Sequence, residues 1–297
     1  MKIIDCFIYS DEDMLLDIRL NVLKDVVDKF VVVEASYKHN GDKKNKNFNI
    51  NKFSNFANKI DYFFVEQTPD NLYKISKNDS EDQAGAKHIK NSIIFEHYQR
   101  NKISVCLKKY DDDDIILISD LDEIPNLKNF NPDNFRNKLT FFNHRMFYYK
   151  FNLEYKKLNW IGTKACRKKD LISPQWLRDT KNRKYPFFRL DTLFSKKKYI
   201  DVNIIEDGGW HFTQLKNSAD LFDKLNTFAH HIDFKESGLN KKDIDLAIKE
   251  KRVLYDHFSD QKSSNKWQNK QFLEKIDINI LPNYIKINKD KYDEWFD

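Results

Sequence analysis

Short apolar runs alternate with helical stretches along the first half of the chain. Apolar residues recur at helical spacing over residues 11–29 and 83–109. The second of these helices should bury a stripe of apolar side chains: Ile89, Ile93, Ile94, Tyr98 and Val105. Short runs rich in β-branched or aromatic residues predict buried strands at 3–9, 30–33, 62–65 and 115–118. This order predicts an α/β fold with a doubly wound, mostly parallel central sheet and helices on both of its faces.

The second half of the chain has a less regular pattern. An aromatic-rich stretch at 141–151 and a shorter one that begins at Trp160 predict further strands. Helical spacing returns at 221–234 and 241–255, and the pair His230-His231 in the first of these helices is interpreted as structural. Since neither a repeat nor a low-complexity linker interrupts the sequence, we predict one domain over residues 1–297 with a C-terminal helical section.

Composition excludes several classes of protein. Charged residues make up 33% of the chain and hydrophobic residues 40%, as in an ordinary globular domain. The net charge is +6, but the lysines are spread along the chain, which is more typical of a solubility feature than of a nucleic-acid groove. We therefore expect no nucleic-acid partner. The six glycines form neither a P-loop nor a dinucleotide-binding motif, which excludes P-loop kinases.

Cysteine usage and the N-terminal sequence both indicate the cytoplasm. Cys6, Cys106 and Cys166 are odd in number, far apart and without a CxxC motif, which favours reduced thiols over disulfides or a zinc site. The first apolar run is too short to span a membrane and acidic residues follow it at once, so it is predicted as a strand and not as a signal peptide. No transmembrane segment is predicted. We expect a cytoplasmic protein, with peripheral attachment to the inner membrane face left open.

The strongest chemical signal follows the strand at 115–118. Residues 119–125 read SDLDEIP, which contains a DXD motif. Asp120 and Asp122 are two residues apart, so they point the same way in an extended chain, and ligands of open α/β sheets bind beyond the carboxyl ends of the strands. Two convergent carboxylates suit Mg²⁺ or Mn²⁺, which can bridge a diphosphate. The alternative is an acidic turn that caps the next helix.

A second signal is the string GGWHF at residues 208–212. Adjacent glycines let the backbone approach a ligand closely or adopt a positive φ. Trp210 offers a stacking surface, and the imidazole of His211 is a suitable ligand for Mn²⁺. A histidine taken by itself is more often structural, so the hypothesis of a ligand site rests on the whole string.

Three sequence blocks occur in order along the chain. They are the stretch from Asp13 to Gly41, YQRN at 98–101 followed by ILISDLDEIP at 116–125, and GGWHF at 208–212. Together they resemble glycosyltransferase family 17, whose best-known members are the β-1,4-mannosyl-glycoprotein 4-β-N-acetylglucosaminyltransferases. The resemblance implies a GT-A-type, Rossmann-like fold, a UDP-sugar donor, most simply UDP-GlcNAc, the cofactor Mn²⁺ (or Mg²⁺), and inversion at the anomeric carbon.

The resemblance also implies roles for individual residues. Asp120 and Asp122 would bind the metal, with Asp122 as the direct ligand, and His211 would complete the metal site. Glu34, at the end of the second strand, would read the nucleobase, because its carboxylate could accept a hydrogen bond from the uracil N3–H. Arg100 would face the diphosphate or form a salt bridge on its helix. Trp210, also in the GGWHF string, would stack on a sugar ring.

An inverting transfer needs a base that takes the proton of the acceptor hydroxyl. Glu206 and Asp207 are the candidates, because they immediately precede the glycines of the GGWHF string. Glu123 is an alternative, to which we give a supporting role behind the metal ligands.

On the same resemblance, residues 1–125 form a nucleotide-binding half and residues 126–297 an acceptor-side and C-terminal helical part. Animal members of the family have a membrane anchor and cysteine-rich regions that this sequence does not show, so their acceptor is not carried over. We expect a glycan or lipid-linked saccharide as acceptor and a role in polysaccharide biosynthesis. Two alternatives stay open at this point: a metal-dependent phosphodiesterase or nuclease, and a non-catalytic carbohydrate-binding protein.

Overall fold

A computed structural model of the protein describes residues 1–128, 130–226, 234, 235, 237–255, 267 and 271–297. The predicted helix at 221–234 lies only partly in these ranges, and the pair His230-His231 lies outside the described residues.

Ten strands of the described residues form one sheet. They are β1 (Ile3–Tyr9), β2 (Lys29–Ala35), β3 (Ile60–Val65), β4 (Ile115–Ile118), β5 (Glu123–Pro125), β6 (Leu139–Tyr148), β7 (Leu153–Glu154), β8 (Trp160–Arg167), β9 (Val202–Thr213) and β10 (Glu274–Lys275). Their order is β10-β7-β6-β8-β4-β1-β2-β3, and β9 pairs with both β5 and β6. The strands predicted at 3–9, 30–33, 62–65 and 115–118 are all present.

The sheet is mixed, and its parallel part comes from the first half of the chain. Strand β1 is parallel to both β2 and β4, and β2 is parallel to β3. Strand β8 then lies antiparallel between β4 and β6, whereas β6 and β9 run parallel. Because β1, β2 and β4 run in the same direction, their carboxyl ends share one edge of the sheet. The chemistry-bearing loops follow these ends.

Seven α-helices are described. They are α1 (Asp13–Leu23), α2 (Glu81–Asn101), α3 (Ile103–Leu107), α4 (Pro174–Asp179), α5 (Ser218–Leu225), α6 (Lys241–Lys249) and α7 (Asn283–Ile287). Ser80 starts α2 with a capping box closed by Gln83, and Ser173 caps α4 directly before Pro174. Among the residues that the structure describes, no helix is both long enough and apolar enough to cross a bilayer.

Helices cover both faces of the sheet, as predicted. On one face, alternate strand residues such as Ile3 and Phe7 pack against α1 and against the C-terminal region around Ile285. On the other face, Ile4 and Cys6 pack with side chains of α2, α3 and α4. A third core joins the end of β6 to α5 and α6. The C-terminal helical section therefore contributes to two separate cores.

Two sequence predictions need correction. The helix expected at 83–109 is two helices. Of its predicted stripe, Tyr98 packs against a core, but Val105 is 41% exposed, whereas Phe95, Gln99 and Arg100 are buried. Two of these side chains are polar: Gln99 donates to the carbonyl oxygens of β1 and β2 near their ends, and Arg100 donates to Asp120, so the buried face does not follow hydrophobicity alone. Strand β9 was not predicted, since the glycines and acidic residues at 206–209 are poor strand formers.

Candidate active site

The loop between β4 and β5 and the first residue of β5, together called the carboxylate loop (residues 119–123), are held by a buried arginine of α1. Arg19 is fully buried and donates two hydrogen bonds of 2.7 Å to the carboxylate of Asp5 in β1. Its guanidinium also donates to the carbonyl oxygens of Asp120, Leu121 and Glu123 at 2.9, 3.1 and 2.9 Å. One charged side chain thus fixes the backbone from which both aspartates project.

Sequence reasoning missed this pair, although a signal was present. Arg19 is the single charged residue among the buried positions of α1, and Asp5 lies within the apolar run of β1. An isolated charge in an apolar pattern must find a partner when it is buried, because an unpaired buried charge is very costly. When two such charges of opposite sign occur in neighbouring elements, they are expected to form an ion pair.

The carboxylate of Asp120 accepts hydrogen bonds from two arginines. Its Oδ1 accepts a hydrogen bond from Arg100 of α2 at 2.8 Å, and its Oδ2 accepts one from Arg178 of α4 at 3.0 Å. Burial alone would raise the pKa of Asp120, but the charges of Arg178 and Arg100 hold that pKa well below its usual value. The carboxylate is therefore ionised and fixed in place. Arg100 also donates to Glu96, four residues earlier on α2, at 2.7 Å, so the salt bridge considered from the sequence is present on this helix, although Arg100 itself is buried.

Asp122 has different surroundings. Its Oδ2 lies 3.6 Å from Nε2 of His211, which β9 presents at this point because His211 is paired with Glu123 of β5. Burial raises the pKa of Asp122, but His211 and then Lys224 of α5 lower it by more. Burial lowers the pKa of His211, and Asp122 raises it by more. The two groups favour each other's charged forms.

The imidazole of His211 is enclosed on its other side. Its ring lies 5.1 Å from the ring of Trp160, and its Nδ1 has no hydrogen-bond partner among the described residues. Trp160 donates its indole N–H to Oε1 of Glu123 at 2.6 Å. The sequence identified Trp160 only as the start of a strand, so its place beside the histidine was missed.

Glu123 is fully buried and its carboxylate is saturated. It accepts hydrogen bonds from Trp160, from Arg178 at 2.7 Å, and from the backbone N–H of Asp120 at 2.8 Å. Because these donors already occupy both oxygens, Glu123 supports the loop and has no free oxygen for an acceptor hydroxyl. The supporting role expected for it agrees with this geometry.

The predicted trio of metal ligands is not assembled as a cluster. Among the described residues, no three histidine, cysteine or acidic side chains are arranged to hold an ion. Asp120 faces the arginines, whereas Asp122 and His211 face each other and offer a carboxylate oxygen and an imidazole nitrogen. Mg²⁺ and related ions commonly take one or two carboxylates and complete their shell with water and substrate phosphates. The pair Asp122 and His211 therefore fits part of such a shell, and Asp120 in this arrangement does not.

Glu34 lies two strands away at the same edge of the sheet, and its carboxylate is fully engaged. It accepts hydrogen bonds from Lys44 at 2.5 Å, from the backbone N–H of Asn47 and Phe48 at 2.7 and 3.1 Å, and from Tyr62 at 2.7 Å. A carboxylate has about four acceptor positions, so none is left for a uracil N3–H. The expectation that Glu34 reads the base directly is therefore corrected: Glu34 fixes the loop at 44–48.

Trp210 faces away from His211, as alternation along a strand requires. Its indole N–H donates to the carbonyl of Ile280 at 2.7 Å and its ring packs in the core shared with α1. A stacking role for Trp210 on a sugar does not fit this position. Gly209 has φ +151°, and a Cβ there would lie 2.3 Å from the carbonyl of Ile124, so the glycine admits β5 and not a ligand.

Glu206 and Asp207 lie farther along β9 than expected. Phe212 donates its N–H to the carbonyl of Asp122 at 2.9 Å, and Glu206 lies six residues before Phe212, within an irregularity of β9 at which Asp207 has a φ of 48°. Both acids line an open cleft of about 360 Å³ whose other walls include Arg145 and Glu154, an ion pair of 2.6 Å. The lining of this cleft does not include Asp122 or His211, but it includes Met146, the residue of β6 that is paired with His211.

A comparison with known proteins gives one clear result. The sequence matches the family model described as Glycosyltransferase family 17 over residues 1–295. No curated protein matches the chain.

Proposed function

Because the chain belongs to glycosyltransferase family 17 and is a glycosyltransferase, we propose that it transfers GlcNAc from UDP-GlcNAc to a hydroxyl of a glycan, with inversion and with the help of Mn²⁺ or Mg²⁺. We further propose that its mixed α/β sheet is of the GT-A type. The observation that carries the proposal is the pair Asp122 and His211, 3.6 Å apart at the carboxyl edge of the parallel strands. Such edges are where open α/β sheets bind their ligands.

In this proposal, Asp122 and His211 hold the cation from the protein side. A divalent cation supplies charge stabilisation to the departing diphosphate when it is bound. The two positive charges of Arg100 and Arg178 are matched by the three carboxylates that they bind, those of Asp120, Glu96 and Glu123, so an anionic donor would depend on the charge of the bound cation. Arg100 and Arg178 further orient Asp120, so the geometry of the site depends on these two residues even without a direct contact to the donor.

The acceptor would occupy the cleft lined by Glu206 and Asp207. Its polar lining suits the hydroxyl groups of a saccharide, and Asn143 orients Glu206 through a hydrogen bond of 2.6 Å. One of the two acids would take the proton of the attacking hydroxyl. Replacing the base should lower kcat, whereas replacing an acid that only binds the acceptor should raise the KM for the acceptor.

The uridine end of the donor would lie near the loop that Glu34 fixes. Glu34 would then act on base recognition by positioning residues 44–48, so that Glu34→Gln weakens donor binding through a displaced loop. For the acceptor we propose a glycan or a lipid-linked saccharide in polysaccharide biosynthesis. The three cysteines are free, and two of them are buried, which suits a reducing compartment such as the cytoplasm.

A panel of sugar nucleotides tests the proposal. UDP-GlcNAc with Mn²⁺ should raise the melting temperature and release UDP slowly, and a chelator should abolish both effects. A ligand at about 100 times its dissociation constant stabilises by about 2.7 kcal/mol, which such a scan resolves. Asp122→Asn should lose both responses, whereas Asp112→Asn, in an exposed part of the chain, should keep them.

Three results would contradict parts of the proposal. Equal binding of GDP- or ADP-sugars would refute the uridine donor. Full activity in the presence of a chelator would refute the metal. Cleavage of simple phosphodiesters without transfer from any sugar nucleotide would favour a phosphodiesterase instead.

A further inference from the structure

An exposed segment between α4 and β9 combines apolar and basic side chains. We call it the basic–aromatic loop (residues 181–198). It exposes five large apolar side chains to solvent, and two of them, Phe187 and Phe194, are 83% and 90% exposed. The other three are Phe188, Leu190 and Leu193. A contiguous set of exposed apolar side chains marks an interaction surface, whereas single exposed ones need no explanation.

The charge of this loop is equally unusual. Seven of its eighteen residues are lysine or arginine and one is acidic, so the segment carries a net charge of +6, as much as the whole chain. The rest of the sequence is therefore neutral overall. The positive excess that looked spread along the chain is concentrated at one place, where it surrounds the apolar side chains.

Hydrogen bonds hold the two ends of the basic–aromatic loop together, and its middle part is exposed. Backbone hydrogen bonds from Lys181 to Lys197 and from Tyr185 to Tyr199, of 2.7 and 3.1 Å, close the base. Trp176 of α4 donates its indole N–H to the carbonyl of Lys196 at 2.6 Å. The guanidinium of Arg183 lies 4.6 Å above the buried ring of Tyr185. These contacts hold residues 186–195 outward as a protrusion with defined turns.

From this combination we propose that the basic–aromatic loop docks the protein on an anionic phospholipid membrane. Phe187, Phe188 and Phe194 would enter the interface between headgroups and acyl chains, and the flanking lysines and arginines would contact lipid phosphates. Apolar insertion together with several basic residues is the combination that gives stable attachment without a membrane span.

Other occupants fit less well. Protein interfaces are depleted in lysine, but lysine is the commonest residue of this loop. A single-stranded nucleic acid would need a basic groove with stacking platforms, whereas the apolar side chains here stand on a protrusion and include two leucines. The loop begins three residues after Arg178, which bonds Asp120. Docking would therefore hold the carboxylate loop near the membrane surface, where a lipid-borne acceptor lies.

Vesicle sedimentation of the full chain tests this inference. The protein should sediment with vesicles of phosphatidylcholine and phosphatidylglycerol and stay in the supernatant with phosphatidylcholine alone. The triple variant Phe187→Ser/Phe188→Ser/Phe194→Ser should bind anionic vesicles about tenfold or more weakly. The control Ile287→Ser removes an equally exposed apolar side chain elsewhere and should bind as the wild type does.

A charge variant separates the two contributions. Lys196→Gln/Lys197→Gln/Lys198→Gln should weaken binding and reduce its dependence on salt, whereas Lys241→Gln/Lys242→Gln should not. The inference fails if the triple apolar variant sediments like the wild type, or if the wild type does not bind anionic vesicles. It also fails if the chain binds only soluble polyanions, or if the triple variant instead dissolves an oligomer of this chain. None of these readouts depends on the identity of the sugar donor.

Discussion

The carboxylate loop and the basic–aromatic loop differ in where they place their charged side chains. In the carboxylate loop, Glu123 is fully buried, and the two aspartates that precede it contact cationic or basic side chains of α2, α4 and β9, while Arg19 of α1 binds the backbone carbonyls. In the basic–aromatic loop, the apolar side chains face solvent and most of the charges lie around them, exposed. One short helix, α4, joins the two, because Arg178 points inward at its end and the loop starts at Lys181.

The difference teaches how each region is stabilised. Burying a charge costs desolvation free energy, which the partners of the carboxylate loop offset. Removing one of these partners should therefore destabilise the fold. Exposed apolar side chains contribute nothing to the folded chain, so the basic–aromatic loop should be indifferent to substitution unless a partner covers it. Stability measurements should therefore separate the two regions.

The largest effect is expected at Arg19. Arg19→Met leaves the carboxylate of Asp5 buried without its partner and removes the donor to three loop carbonyls. Breaking a buried pair in this way costs about 3–5 kcal/mol of unfolding free energy. Urea unfolding of wild type and variant measures it, and a loss below about 1 kcal/mol would contradict the anchoring role.

A double variant tells which of the two roles dominates. Asp5→Leu/Arg19→Met removes both charges, so the stability lost through the unpaired carboxylate should return. The loop carbonyls would still lack a donor, and a deficit of about 1–3 kcal/mol per unsatisfied buried group should remain. Full recovery would mean that Arg19 serves Asp5 alone and that the loop holds itself.

The next effect is an asymmetry between the two aspartates. Asp122→Asn should lower turnover by about a hundredfold or more if it holds the cation, with a smaller loss of stability than Asp120→Asn, since its ion pair with His211 spans 3.6 Å. Asp120→Asn should cost about 1–2 kcal/mol of unfolding free energy, because both arginines lose a charged partner that is 36% exposed and so partly replaced by water. Equal stability and equal activity losses in the two variants would refute the asymmetry.

Parts of this arrangement could be predicted from the sequence alone. The parallel strands, and the position of Asp120 and Asp122 beyond β4, follow from local hydrophobic runs and from the edge at which α/β sheets bind ligands. That His211 joins this site was implied by the family resemblance, which the GGWHF string helps to carry. These features depend on neighbours in sequence or on the general rules of one fold class.

The rest depends on contacts between distant residues. Arg178 reaches Asp120 and Glu123 from more than fifty positions away, and no local pattern around it indicates such a partner. The donors that fill the acceptor positions of Glu34 include backbone N–H groups of a loop that folds back over β2. The sequence therefore predicted where Glu34 lies, but not that its carboxylate is already hydrogen-bonded. Strand alternation placed Trp210 opposite His211, but only the structure shows that Trp160 takes the neighbouring place.

A smaller effect concerns Lys164, which supports the end of α4. It is buried and donates to the carbonyl oxygens of Arg178 and Thr180 at 2.7 and 2.5 Å. Burial, and after it the charge of Arg178, lower the pKa of Lys164 to about 7, although Glu123 and Asp179 act in the opposite direction. In the unfolded chain this pKa is about 10.4.

The sign of the pH dependence follows from these two values. Between them the unfolded chain binds a proton that the folded chain does not, so the stability contribution of Lys164 rises with pH, by at most about 1.4 kcal/mol per unit. Stability differences between wild type and Lys164→Met should therefore shift in favour of the wild type from pH 7 to pH 9 (about two units). Parallel stability curves over that range would show that Lys164 stays charged in the folded state.

The smallest effect is expected in the basic–aromatic loop, and its smallness is the informative result. Phe187→Ser/Phe188→Ser/Phe194→Ser replaces side chains that touch little beyond one another, since the rings of Phe187 and Phe188 lie 5.7 Å apart and are exposed. Surface changes of this kind stay within about 0.5 kcal/mol, so urea unfolding should match the wild type. As a contrast, Trp176→Ala should destabilise the chain by about 3 kcal/mol or more, because its indole is buried and ties α4 to Lys196. A clear loss of stability in the triple serine variant would mean that these rings pack within the folded chain, and the contrast between a buried charged region and an exposed apolar one would no longer hold.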